Sequence, residues 1–378
     1  MQIIKKCDKA AYIIFMAAVL IHLLVMCGEF GVWEVPFRGR LLQVAFALCV
    51  IKILMTFYSY IEWMMLVGAA AVSALSYVFT REKYALYVAV LIFAAKSVDM
   101  KMVLKLVLDA TILSTVIVVI ASVAGMGGIV SETRDFGRGI VETRYSLGFS
   151  HANNLHGTYW YILSLMVLLY KDKAGWKTYS VMAASNILMF VLTKSKAGFA
   201  VAMLVIVAGA MYRYVSKYVF DRLYPYILGL LALAGVVGLT LVSVTADYYA
   251  GYGPVLKKLD SITTGRFNLA YQSAYIGDWK LFRAGGNHKY PVDNGFASLA
   301  ADYGIVLWLV YLALIVTLIV ICAKKKKGIL FSIIISCVFY TFMESSFVLN
   351  DAYLLSNFIF IASMWILGEK QPPVVEEI

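Results

Sequence analysis

The sequence predicts an all-α, polytopic transmembrane helical bundle of about twelve spans with two long outward-facing loops. Three observations carry that class. Of 378 residues, 62% are hydrophobic and only 15% charged, against about 45–50% apolar and about 25% charged in soluble domains. Mean hydropathy is +0.83. Apolar runs approaching the roughly 20 residues that a spanning helix needs also recur from one end of the chain to the other. A soluble fold could not hide so much apolar surface, and a disordered chain would not contain it. The five cysteines, Cys7, Cys27, Cys49, Cys322 and Cys337, have neither framework nor metal-ligand spacing. The net charge of +11 would suggest nucleic acid in a soluble protein, but in a membrane protein it records orientation. The bilayer is the expected partner and nucleic acid is not.

Charges and turn residues divide the apolar sequence into runs at 10–27, 41–57, 64–79, 84–95, 103–125, 152–170, 176–192, 197–212, 226–244, 303–322, 328–348 and 352–367. The first follows Lys5, Lys6 and Lys9 as a secretory signal would. It is too long for a signal core, though, and bulky Met26 stands before Cys27, so it reads as an uncleaved first span. The shorter runs must extend into flanking polar residues or sit in thinner membrane. The chain therefore divides into a five-helix membrane segment (1–125), an outer loop (126–150), central membrane helices (151–244), a large outer loop (245–302), and C-terminal membrane helices with a cytoplasmic tail (303–378).

Basic residues collect in cytoplasmic loops. With the N-terminus inside, seventeen of the 33 Lys and Arg fall inside and fifteen outside, with Lys52 left within the second span. The Lys324-Lys325-Lys326-Lys327 run decides the matter, because the opposite orientation would export it from a short loop. Both termini are therefore expected inside and both long loops outside. Within the second loop Phe267, Tyr271, Tyr275 and Trp279 recur every fourth residue. That spacing predicts one helix with an aromatic stripe, lying along the membrane surface or covering the bundle, with Arg266 in its first turn just after Gly265.

Four segments on the expected outer side carry the chemistry. They are Arg144-Tyr145-Ser146-Leu147-Gly148-Phe149-Ser150-His151-Ala152-Asn153-Asn154, Leu192-Thr193-Lys194-Ser195-Lys196-Ala197-Gly198, Ser261-Ile262-Thr263-Thr264-Gly265-Arg266, and Pro291-Val292-Asp293-Asn294-Gly295-Phe296 with Asp302-Tyr303-Gly304-Ile305. In their order and common side the chain resembles the Wzy-type polysaccharide polymerases of the O-antigen ligase/polymerase superfamily, from about Lys96 onward. The resemblance implies a glycosyltransferase of the bacterial cytoplasmic membrane that joins polyprenyl-diphosphate-linked oligosaccharide units at its outer surface into O-antigen, capsule or exopolysaccharide. It also implies a flippase and a chain-length regulator as partners. The sequence departs from the family at Lys196, where an arginine is frequent, at Ala152, where proline is frequent, and at Asp293, near which ligases carry a histidine.

The residue types fit such a reaction. A departing diphosphate gathers negative charge and needs fixed cations, for which Arg266 and Lys196 are the candidates. An acceptor hydroxyl must lose its proton to a carboxylate or imidazole. Asp293 is the first candidate base, with His288 and His151 in reserve. Arg144, Lys194, Asn153 and Asn294 are the candidate substrate contacts. No cofactor is expected, and no Asp-x-Asp or His/Glu cluster suggests a metal. Two rival readings share some features. A ligase transferring finished glycan has the same motifs, and a flippase or transporter would use the intramembrane charges Lys52, Asp109 and His22. The two halves of the chain, however, lack the mutual similarity that often marks transporters.

Overall fold

The computed structural model describes residues 2–31, 35–136, 139–246, 253–263, 265–283, 292–345 and 351–369. Among them it forms fifteen α-helices: α1 (Gln2–Gly28), α2 (Arg38–Leu54), α3 (Tyr60–Thr80), α4 (Tyr84–Ala94), α5 (Met100–Val123), α6 (Ala152–Tyr170), α7 (Trp176–Thr193), α8 (Lys196–Val219), α9 (Tyr224–Thr245), α10 (Pro254–Ile262), α11 (Arg266–Ala274), α12 (Gly295–Tyr303), α13 (Ile305–Lys324), α14 (Gly328–Met343) and α15 (Phe358–Gly368). Each of the twelve apolar runs overlaps a helix. Six helical stretches, in α1, α3, α5, α8, α9 and α13, are long and apolar enough to cross a membrane. The other six helices on those runs are shorter or less apolar; α4 has 11 residues, only about 16 Å of helix.

The interior is a large apolar core, but α3 is packed the other way round. In α3 the buried residues are Ser73, Ser76 and Thr80, while Met64, Val67, Leu75, Val78 and Phe79 are exposed. Small polar residues thus face the neighbouring helix and bulky apolar ones face outward, as in helices surrounded by lipid. At the centre stands α14, buried along nearly its whole length and packed by α6, α8, α9, α13 and α15. Trp160 and Tyr340 meet beside it at 4.8 Å.

Several expectations need correction. The chain is not purely helical, because the 126–150 loop contains an antiparallel hairpin, β1 (Ser131–Asp135) and β2 (Val141–Tyr145), with Thr133 opposite Thr143 and their hydroxyls 2.8 Å apart. The 328–348 run leaves the helix at Glu344, whose backbone is extended. The 352–367 run is a 3-10 turn (Asp351–Ser356) followed by α15, which starts where the Asn357 side chain accepts from the Ile359 N–H at 2.9 Å. The aromatic stripe is not one helix. α11 stops at Ala274, Tyr275 turns extended, and a 3-10 turn (Ile276–Asp278) follows. Trp279 folds back so that its indole N–H donates to the Ala274 carbonyl at 3.0 Å, and its ring lies 5.6 Å from Trp308.

Candidate functional site

At the end of the bundle where α14 finishes, three helices begin around one cavity of about 440 Å3, and a segment leading into a fourth completes it. Asn153 and Asn154 come from the first turn of α6, Lys196 and Ala197 from the start of α8, and Arg266 and Leu269 from α11; Asp293 lies just before α12 and Glu344 just past α14. Helix N-termini present unpaired N–H groups and a partial positive charge, so their convergence makes the cavity a place for an anion.

Each start has a local cause. His151 caps α6, its Nδ1 accepting from the Asn153 N–H at 3.1 Å. Ser195 Oγ accepts from the Gly198 N–H at 3.4 Å at the start of α8. Gly265 adopts φ +80°, a left-handed conformation that glycine reaches without strain, and this turns the chain so that Arg266 opens α11. Asn294 caps α12 by accepting from the N–H groups of Phe296 and Ala297 at 3.0 and 3.2 Å.

Arg266 is the hub. Its Nε donates to Asp293 Oδ2 at 3.1 Å, its Nη2 to Glu344 Oε1 at 2.9 Å and its Nη1 to the Thr263 carbonyl at 3.5 Å. A guanidinium has five N–H groups, so among the described residues two are left without a partner. Asn153 Nδ2 donates to the same Glu344 Oε1 at 2.7 Å. Across the cavity the hairpin delivers Arg144, which is buried. Its Nε and Nη2 donate to Glu142 Oε1 at 2.9 and 2.5 Å, and its guanidinium lies 3.9 Å from the centre of the Phe136 ring. Lys196 is exposed and, among the described residues, makes no ion pair.

Burial, then the charges of Arg144 and Arg134, hold the His151 imidazole below its ordinary pKa. Neutral His151, with Nδ1 accepting at the helix cap, carries its proton on Nε2. It can therefore donate to a ligand but has no free lone pair with which to act as a base. Burial pushes the Glu344 carboxyl up to about 7, with Asp293 adding to the rise and Arg266, Asn153 and Arg144 opposing it.

Of the nine residues expected at the site, Arg144, His151, Asn153, Lys196, Arg266 and Asp293 line this cavity. Two do not. Asn294 is buried as the α12 cap, with Nδ2 donating to Thr240 Oγ1 at 3.2 Å. Lys194 terminates α7 in a left-handed conformation, φ +54°, and is not on the cavity wall. His288 lies outside the described residues. Glu344 was missed, although a lone carboxylate in an apolar run is itself a signal of function. Also missed was buried His156, whose ring nitrogens meet Thr193 Oγ1 at 2.8 Å and Asn186 Oδ1 at 3.0 Å, tying the α7–α8 turn to α6.

Among the described residues, the charges expected within the membrane do not share a cavity. Lys52 donates to the Lys96 carbonyl and lines a separate cavity of about 730 Å3, which neither Asp109 nor His22 reaches. No protein-family model matches the chain, and neither a curated protein nor a solved structure is significantly similar to it.

Proposed function

We propose that the cavity binds the diphosphate and first sugars of a polyprenyl-diphosphate-linked oligosaccharide, and that the protein polymerises such units at the outer face of a bacterial cytoplasmic membrane, as Wzy-type polymerases do. One observation supports this best: Arg266, Lys196, Arg144 and three helix N-termini converge on one cavity at the end of an apolar bundle. Such a site suits a ligand with an anionic head and a lipid tail. In the proposed topology all twelve apolar helices lie in the membrane and both termini are cytoplasmic.

In this reading the two remaining N–H groups of Arg266 and the Lys196 ammonium hold the diphosphate, and their charge stabilises the leaving group as the anomeric bond breaks. Asp293, on Arg266 Nε, fixes the plane of the fork. His151 Nε2–H donates to a phosphate or sugar oxygen. Arg144, already stacked and paired, closes the outer wall.

The glycans of a strain deleted for this protein test the assignment. Accumulation of single lipid-linked repeat units supports the polymerase. Full-length polymer left on its lipid carrier would instead identify a ligase, and units trapped on the cytoplasmic side a flippase.

A further inference from the structure

We propose that Glu344 accepts the proton of the attacking sugar hydroxyl, through its Oε2 oxygen. This rests on the glycosyltransferase reading of the cavity. The two carboxylates of the site are held differently. Asp293 is half-exposed and bonded to Arg266 Nε, which makes it a positioning group for the guanidinium. Glu344 is buried, and both of its donors, Asn153 Nδ2 and Arg266 Nη2, fall on Oε1. Among the described residues no hydrogen bond reaches Oε2, nor is that atom one of the buried polar atoms sealed away without a partner. Glu344 lines the cavity, so Oε2 has its lone pairs available where a substrate hydroxyl would sit. Protonation there leaves both bonds on Oε1 intact.

The groups facing Glu344 favour this role. Arg266 on α11 and Arg144 on β2 are its nearby cations, Asp293 before α12 is its nearby anion, Tyr340 on α14 is a titratable neighbour, Lys196 on α8 lines the same cavity, and His151, the cap of α6, is neutral. A carboxyl poised near 7 has the proton affinity that a general base needs at neutral pH.

The step balances as follows. The acceptor O–H bond breaks and its proton goes to Glu344 Oε2, while the oxygen forms a new bond to the anomeric carbon. The bond from that carbon to the diphosphate breaks, and its electron pair stays on the phosphate oxygen. When Glu344 becomes neutral, Arg266 loses one of its two carboxylate partners, so its charge is less compensated at the moment the leaving group becomes more negative.

The test uses the full chain in lipid nanodiscs with lipid-diphosphate-linked repeat units purified from the deletion strain. Binding and single-turnover transfer are followed from pH 5.5 to 8.5. Wild-type turnover should rise with pH through a value near 7 and then level off. Glu344→Gln, whose amide carbonyl can keep both bonds now on Oε1, should bind units within about threefold of wild type. It should lose turnover by about 10²–10⁴-fold, the scale of general-base catalysis, and lose the rising limb. Asp293→Asn should be slower but keep the limb. Transfer by Glu344→Gln at the wild-type rate with an unchanged profile overturns the proposal while leaving the polymerase reading standing. Wild-type protein that neither binds nor joins the units overturns that reading, and this proposal with it. Should Glu344→Gln fail to insert, Glu344→Asp must show a slower rate with the limb retained; a pH-independent rate in that variant also counts against the proposal.

Discussion

Arg266 donates to two carboxylates and a carbonyl, and this geometry sets what its replacements should do. Arg266→Ala leaves Glu344 and Asp293 without their shared cation and removes the leaving-group contact, so polymer formation should be nearly abolished in protein that still inserts. Arg266→Lys restores the charge, but an ammonium cannot bridge both carboxylates and reach the ligand from one plane, so only a small part of the activity should return. Polymer at wild-type levels in Arg266→Ala would remove this residue from the chemistry. Lys196 and Lys194 form a second comparison, because only Lys196 lines the cavity. Lys196→Gln should cut turnover about 10²–10³-fold, the loss expected for one transition-state contact, and Lys196→Arg should keep or raise it, whereas Lys194→Gln should be mild. The reverse order of severity in the purified assay would move the clamp to Lys194. Single residues were legible where a polar motif interrupts apolar sequence, as with Arg266, Lys196 and His151. Asn294 and Lys194 share those motifs yet serve as helix caps, Asn294 starting α12 and Lys194 ending α7, and sequence does not separate the two uses. Glu344 was hidden because an apolar run on both sides made it read as part of a span.

Elements hold these residues in place, and the start of α8 shows how closely. A Cβ on Gly198 would lie 2.7 Å from the His156 ring. That ring cannot swing aside without giving up Thr193 or Asn186. Gly198→Ala should therefore overpack the α6–α8 contact at a cost of about 1–3 kcal/mol, lowering the thermal-unfolding midpoint of the solubilised protein. It should also lower transfer by shifting Lys196, although no cavity side chain has changed. An unaltered midpoint and rate would show that the helices separate freely here. The tight α7–α8 turn was readable from Thr193 to Gly198. The hairpin was readable in principle, since Glu-Thr-Arg occurs in both 131–135 and 141–145 around a glycine-containing turn, but a glycine-rich stretch between apolar runs reads as loop. The stripe from Phe267 to Trp279 misled for the opposite reason. Its four-residue spacing continues past Ala274, whereas the helix ends there and the backbone changes course at Tyr275, just before Gly277; Tyr275 still packs on Tyr271, but Trp279 leaves the stripe for Trp308.

The whole molecule has two unlike ends, and α14 measures the distance between them. Its 16 residues separate Lys327 from Glu344 by about 24 Å, close to the hydrocarbon thickness of a bilayer at roughly 30 Å. At one end lies the Arg266 cavity; at the other, Lys325 and Lys327 both pair with Glu369 beyond α15, and Lys96 pairs with Glu62. This second network ties together turns between helices and carries the lysine run that decides the expected orientation. The apolar runs were legible throughout because lipid imposes the same composition on every outward face, while helix lengths were less so because buried neighbours, not composition, decide where α4 and α15 stop. Orientation is a separate question with its own measurement. In a background freed of native cysteines, single cysteines at position 134 in β1 and at position 325 should respond oppositely to a membrane-impermeant thiol reagent. Both sites are solvent-accessible in the fold, since Arg134 is exposed on the hairpin and Lys325 on its turn. Protection therefore reports the membrane and not burial. In intact spheroplasts position 134 should label and position 325 should label only after permeabilisation. The opposite pattern would put the Arg266 cavity on the cytoplasmic face, where a unit already flipped outward could not reach it, and the polymerase reading would fall with the topology.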